Sequence, residues 1–306
     1  MNIISTSLRY DYSVLIEDLR FLINEYSFLN KISIGKSVLS KELFCLKFGE
    51  GDKKVFINAA HHGNEWITSM LVMSMLEKIC YLYRNGISFM HYDLNEIYKK
   101  VSLYICPMVN PDGVNLSVSG LTDEIPPIVK TRLISYNEEK KDFIDKWQAN
   151  INGIDLNHNY DAGFEKGKAL ERGEKIFSPG PTRFSGAYPF SEPETNAIKN
   201  FVLELSPDIA VAYHSQGEEI YYDYEGLASS RAKKLAFSMS EISGYRACSP
   251  EGMASYSGFK DWIIEKFNIP AFTIEVGIGK NPLSLTQFDT IFQKNLPMLL
   301  FLLNSE

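Results

Sequence analysis

The chain has 306 residues, 45% of them apolar and 23% charged, which suffices for a full core and excludes disordered and collagen-like classes. Its 31 basic residues against 38 acidic ones give a net charge of −7, and no basic run offers a phosphate footprint, so no nucleic-acid partner is expected. No apolar stretch approaches the roughly 18 residues that cross a bilayer, so no membrane partner is expected either.

Near the N-terminus, Arg9, Asp11, Glu17 and Asp18 interrupt the stretch where a signal peptide would need an unbroken apolar run, and a cytoplasmic location is expected. Leu15, Leu19, Leu22, Ile23 and Tyr26 then follow helical spacing and open the domain at once, leaving no room for a pro-segment. Extended segments at Ile32 to Ile34, Leu43 to Phe48 and Val55 to Ala60 follow, with Gly49 and Gly51 between the last two, and they predict a β-meander at a sheet edge. Ile67, Met70, Leu71, Met75 and Ile79 form a helical stripe, and a strand from Val101 to Cys106 stops at Pro107.

The stretch from Asn110 to Pro189 reads as mainly irregular, apart from a helix around Ser135 to Trp147, and Asn110-Pro111-Asp112-Gly113 reads as a tight turn. Ser191-Glu192-Pro193-Glu194 has the spacing of a capping box and opens a helix to about Leu205. Strands at Ile209 to Tyr213 and Ala271 to Val276, and helices at Leu227 to Ser243, Asp261 to Phe267 and Leu283 to Leu303, complete an alternating pattern. Without repeats or linkers, residues 1–306 read as one α/β domain with a mixed, mostly parallel sheet and helices on both faces. Cys45, Cys80, Cys106 and Cys248 are widely spaced and read as reduced core thiols.

The chemistry concentrates at strand ends. Of the five histidines, His61 and His62 directly follow the Val55 to Ala60 strand and His214 ends the Ile209 to Tyr213 strand, while His91 and His158 lie in polar segments. Ligands in open α/β sheets gather beyond the carboxyl ends of strands. His62 and Glu65, three positions apart, can share one ion on a helical turn, with His214 as a distant third ligand. Such His₂Glu ligation leaves a fourth position open. Glu275 ends an apolar strand, where a carboxylate is costly unless it is paired or functional, and beside an open metal it can serve as a base. Each signal is weak alone; their coincidence at strand ends points to one metal-dependent hydrolytic site.

These blocks resemble the zinc carboxypeptidases of the carboxypeptidase A type, from about Tyr12 to the C-terminus. The matches run in family order: His62 to Ile67, Asn110 to Gly113, Gly153 to Asn157 ahead of Tyr160, Ser191 to Glu194, Tyr213 to Ser215, and Thr273 to Glu275. The resemblance implies an eight-stranded mixed sheet and one zinc ion per chain, held by His62, Glu65 and His214 with water in the fourth place. It also implies Glu275 as the catalytic base. His61 falls outside the ligand position, and His91 takes no role.

Departures from the family pattern bear on the substrate. The pair that holds a terminal carboxylate is Asn-Arg in the family and Asn157-His158 here, so the arginine fork is missing. The arginine that steadies the oxyanion is replaced by Gln148, a donor without charge, leaving Arg132 or Arg183 as alternative cations. The mobile tyrosine corresponds to Met253, with Tyr256 close by. Within the family, the chain is most similar to bacterial γ-D-glutamyl-L-diamino acid endopeptidases, which act on muropeptides, through the stretches beginning at His61, Trp147 and Gly258; no cell-wall-binding repeat is seen. The resemblance implies hydrolysis of an amide bond in a peptidoglycan-derived peptide. Lys260 falls at the implied floor of the leaving-residue pocket, where it would attract a substrate carboxylate such as that of diaminopimelate. The alternatives are an aspartoacylase or desuccinylase-like zinc amidohydrolase, which shares a His-Gly-Asn-Glu motif, and an inactive peptide-binding homologue. The oligomeric state is left open.

Overall fold

The computed structural model describes residues 3–137, 142–250 and 252–305. Helix α1 (Tyr12–Glu25) starts where Asp11 accepts a hydrogen bond from the Val14 amide, and it buries Leu15, Leu19 and Leu22. Strands β1 (Asn30–Lys36) and β2 (Glu42–Phe48) pair as an antiparallel hairpin. Next come β3 (Lys53–Ala59), α2 (Ile67–Arg84), α3 (Leu94–Lys100) and β4 (Val101–Cys106).

The expected meander stops at β2. Strand β4, not β3, pairs with β2, and β3 lies one place further in. The crossover through α2 and α3 returns the chain parallel to β3, as a parallel neighbour requires, and puts β4 on the side a meander would have filled. Gly49 and Gly51 permit this arrangement. A Cβ on Gly49 would lie 2.0 Å from the Val101 carbonyl oxygen, and one on Gly51 would lie 1.8 Å from the Lys100 carbonyl carbon.

The second half contains α4 (Pro111–Ser119), α5 (Pro127–Tyr136), α6 (Phe164–Gly173), α7 (Pro193–Leu205), β5 (Ile209–His214), β6 (Glu219–Tyr221), α8 (Ser230–Ser243), β7 (Arg246–Cys248), α9 (Phe259–Phe267), β8 (Ala271–Glu275) and α10 (Phe288–Asn304). The eight strands form one mixed sheet in the order β1-β2-β4-β3-β5-β8-β6-β7, with β4, β3, β5 and β8 parallel. The expected α/β architecture is therefore present. Side chains alternate across the sheet: Val55 and Ile57 join the core beneath α1, α2, α8 and α10, whereas Phe56 joins Ile198 of α7 and Phe259 of α9 on the other face. No described helix is long and apolar enough to cross a membrane.

Three local expectations change. Asn110-Pro111-Asp112-Gly113 begins α4: the Asn110 side chain accepts from the Gly113 amide at 2.9 Å and Pro111 occupies the first turn. The helix expected from Ser135 to Trp147 is displaced, since α5 already ends at Tyr136. Residues 138–141 lie outside the described residues, and Phe143 to Lys146 form a turn in which Asp145 has φ +67°. The capping box at Ser191 does not close either. Ser191 Oγ donates to Glu192 Oε1, and the Glu194 carboxylate turns inward to accept from the Val38 amide at 3.1 Å.

Candidate metal centre and active site

Beyond the end of β3 the chain makes a short 3₁₀ turn, Gly63–Glu65, which carries Glu65 and has His62 at its N-cap. Gly63 lies so close to neighbouring backbone that an added Cβ would come within 2.4 Å of the Gly113 oxygen and 2.8 Å of the Trp147 oxygen. Its amide donates to the Gln148 carbonyl at 2.8 Å. Asn110 Nδ2 bridges the same two segments, donating to the carbonyls of His61 (2.9 Å) and Ala149 (3.2 Å). The loop bearing His62 is thus fastened to the start of α4 and to the Trp147–Ala149 segment.

From this turn His62 Nδ1 reaches to 2.8 Å from Glu65 Oε1, while His214 Nδ1, at the end of β5, lies 3.0 Å from Glu65 Oε2. His62, Glu65 and His214 each offer a ligand atom, all within 4.8 Å of one another, and the cluster could hold a metal ion. Two imidazoles and one carboxylate are the donor set of an open tetrahedral zinc site. His62 Nε2 lies 3.0 Å from Asp155 Oδ1, so the ring is held between two carboxylates, Glu65 at Nδ1 and Asp155 at Nε2. Glu65 is further held by the Ser215 amide (3.2 Å) and by Asn281 Nδ2 (3.3 Å).

Burial pushes the Glu65 carboxyl up, but the neighbouring His62 and His214 outweigh it and hold its pKa below the usual carboxylate range. For His62, burial disfavours the charged ring, yet Glu65 and Asp155 more than compensate and raise its pKa well above the ordinary value. His214 goes the other way, because burial prevails over Glu65. Glu275 ends β8 as the direct register partner of His214, and the Val276 amide donates to the His214 carbonyl at 2.9 Å. Burial, reinforced by the charge of Glu65, lifts the Glu275 carboxyl well above the usual carboxylate range.

The remaining expected residues divide. The Gln148 carbonyl accepts from the Gly63 amide next to His62, and its side-chain Oε1 accepts from Thr182 Oγ1, which leaves Nε2 as its donor. Asn157 Oδ1 accepts from the Phe259 amide at 3.1 Å, and His158 Nδ1 lies 3.3 Å from the Tyr256 carbonyl oxygen, so both stand on the α9 side. The Tyr256 ring packs against Gly163 and Tyr224 rather than against the metal-binding cluster. The Met253 side chain lies outside the described residues.

Lys260 requires a correction. It is 3% exposed, and its Nζ donates to the Asp223 carbonyl (2.6 Å) and pairs with Asp261. Its charge is already neutralised inside the protein, so it is not an unpaired cation awaiting a substrate carboxylate. Sequence reasoning missed Asp155 and Asn281 as supports of the cluster. Asp155 stood within a recognised block, but nothing in the sequence tied it to His62, and Asn281 carried no signal.

A sequence profile described as zinc carboxypeptidase matches residues 15–297. The chain is 35% identical over 294 residues to γ-D-glutamyl-L-diamino acid endopeptidase 1 of Lysinibacillus sphaericus, a match covering 95% of this chain and 71% of that protein. It is 34% identical over 285 residues to the uncharacterised protein YqgT of Bacillus subtilis strain 168, covering 92% and 74%. Among solved structures, thrombin-activatable fibrinolysis inhibitor aligns with a TM-score of 0.72 at 21% identity, over 99% of this chain and 76% of that one. Murein-tripeptide amidase MpaA from Escherichia coli O157 aligns with a TM-score of 0.56 at 19% identity, over 90% and 92%. At these identities the two structures speak for the fold.

Proposed function

The chain belongs to the zinc carboxypeptidase family and is a peptide-bond hydrolase, and from that premise we propose that it cleaves a γ-D-glutamyl–diamino acid amide bond in a peptidoglycan-derived peptide. The observation that carries this reading is the 35% identity to a γ-D-glutamyl-L-diamino acid endopeptidase over 95% of the chain. The replacement of the family's arginine fork by Asn157-His158 supports it, because a leaving group not anchored as a simple terminal carboxylate does not need that fork.

In this proposal His62, Glu65 and His214 would hold zinc, the histidines through a ring nitrogen and Glu65 through its carboxylate. Bound zinc lowers the pKa of a water and polarises the scissile carbonyl. With an ion bound, Asp155 would keep the remaining His62 proton on Nε2 and so free Nδ1 as a ligand. Glu275, opposite His214 on the neighbouring strand, takes the proton released by the attacking water and delivers it to the leaving nitrogen. Gln148 Nε2 donates to the carbonyl oxygen as negative charge develops there.

The test is mass spectrometry of products after incubation with muropeptides and with ordinary C-terminal peptides. The proposal expects cleavage at the γ-glutamyl bond. Release of single C-terminal residues from ordinary peptides, with muropeptides untouched, would overturn it.

A further inference from the structure

Two arginines adjoin the segment that runs from Gln148 to Asp155, and their surroundings differ. Arg183 meets Asp155 only through its backbone amide, at 2.9 Å, and its guanidinium pairs with Glu174 at the surface. Arg132, half-buried on α5, has no carboxylate partner among the described residues. Its Nη2 donates to Asn152 Oδ1 at 2.6 Å, and its Nε is buried with no partner. A cationic group with a buried, unpaired donor is costly unless an anion joins it.

Asn152 fixes where that guanidinium stands. Its Nδ2 donates to Glu192 Oε2 at 2.8 Å, and its backbone amide donates to Asn150 Oδ1 at 3.0 Å. The turn is closed by Asn150 N to the Ile154 carbonyl (2.8 Å) and Gly153 N to the Asn150 carbonyl (3.0 Å). This short turn joins Gln148, which fastens Gly63, to Asp155, which holds His62. Asn157 and His158 lie on the α9 side, whereas Arg132 meets the turn that follows Gln148, through Asn152.

We propose that Arg132 binds a substrate carboxylate on the acyl side of the scissile bond. The chemistry of that anion rests on the function proposed above. A γ-glutamyl linkage uses the side-chain carboxyl and leaves the α-carboxylate of the same residue free, two methylenes and the α-carbon away from the carbonyl under attack. An α-linked residue presents an anion at that distance only where its own side chain is acidic. A guanidinium meeting that carboxylate makes charge-assisted hydrogen bonds, which are about twice as strong as neutral ones, so Arg132 would favour a γ-linked glutamyl residue over α-linked residues with neutral side chains.

The experiment uses two γ-D-glutamyl-diaminopimelate peptides that differ only at the glutamyl α-position, one with a free carboxylate and one with a carboxamide. Their kcat/KM values are compared for the zinc-loaded wild type, R132K and R132M, with thermal unfolding as the check on folding. Calorimetric binding of the product dipeptide L-Ala-D-Glu and of its α-amide gives a readout independent of turnover. The wild type is expected to favour the free acid about ten-fold or more in both measurements, R132K to keep part of that preference and R132M to lose it. A wild type indifferent to the amide, or a preference that survives in R132M, overturns the assignment of Arg132 and leaves the proposed function standing. If the wild type cleaves neither peptide at the γ-glutamyl bond, the proposed function fails, and equal binding of the dipeptide and its amide then removes Arg132 as well.

Discussion

Asp155 Oδ1 lies 3.0 Å from His62 Nε2, although 93 positions separate the two residues. The second oxygen of the same carboxylate accepts from the Arg183 amide at 2.9 Å, so Asp155 ties a metal-cluster histidine to the loop opposite. The adjacent cationic ring holds the Asp155 carboxyl well below the usual carboxylate range despite its burial. Asp155→Asn keeps the shape and removes the charge. We expect it to weaken zinc binding about 10- to 100-fold, as second-layer changes at metal sites do, read by competition with a chelator of known affinity. Unchanged affinity would show that Asp155 only supports the loop.

Glu275→Gln separates metal binding from catalysis. The variant should retain a full equivalent of zinc by elemental analysis while turnover falls on the order of 10² to 10⁴-fold, the range for losing a general base. Loss of zinc together with activity would instead make Glu275 part of the metal site.

What the sequence disclosed follows from the range of the interactions involved. His62 and Glu65 lie within one turn, and His214 and Glu275 interrupt or end apolar strands, so each left a local signal. The contacts of Asp155 with His62 and of Asn281 with Glu65 are tertiary, and periodicity carries no record of them. The order of β3 and β4 was hidden for the same reason, since the crossover decides which strand lies against β2. For Lys260 the partner was the next residue, Asp261, yet only the burial of both shows that the pair is internal.

Lys260→Met tests that correction. It removes one member of a buried pair and leaves the Asp261 carboxylate, 1% exposed, without its cation. Breaking such a pair costs roughly 3–5 kcal/mol, so chemical denaturation should show a large loss of stability. A variant as stable as the wild type, with activity lost only toward diaminopimelate-containing substrates, would return Lys260 to the substrate pocket.

Gly63→Ala should act at a distance from the reacting atoms. Its Cβ would meet the backbone oxygens of Gly113 and Trp147, neither of which can yield without moving α4 or the segment before Gln148. We expect lower stability by differential scanning calorimetry and a parallel loss of zinc affinity, because the displaced turn carries His62 and Glu65. Reduced stability with unchanged zinc affinity would mean that the turn relaxes without disturbing the cluster.

Glu194 gives the stability a pH dependence of its own. It is completely buried at the start of α7, and burial, with Asp112 of α4 and the adjacent Glu192 as like charges, raises its pKa to about 8. Lys41 pairs with Asp112 rather than with Glu194, and the Val38 amide and Asn150 Nδ2 are its donors. The folded state therefore keeps this proton where the unfolded chain, with an ordinary glutamate near 4.5, has released it. Between those two values the unfolded state binds fewer protons, so stability is complete below about pH 4.5 and declines until about pH 8. The contribution is on the order of a few kcal/mol. Glu194→Gln removes the titration while keeping an acceptor for Val38, so the variant should gain on the wild type as pH rises from 5 to 8 in denaturant titrations. A constant difference across that range would mean that Glu194 is ionised in the folded protein.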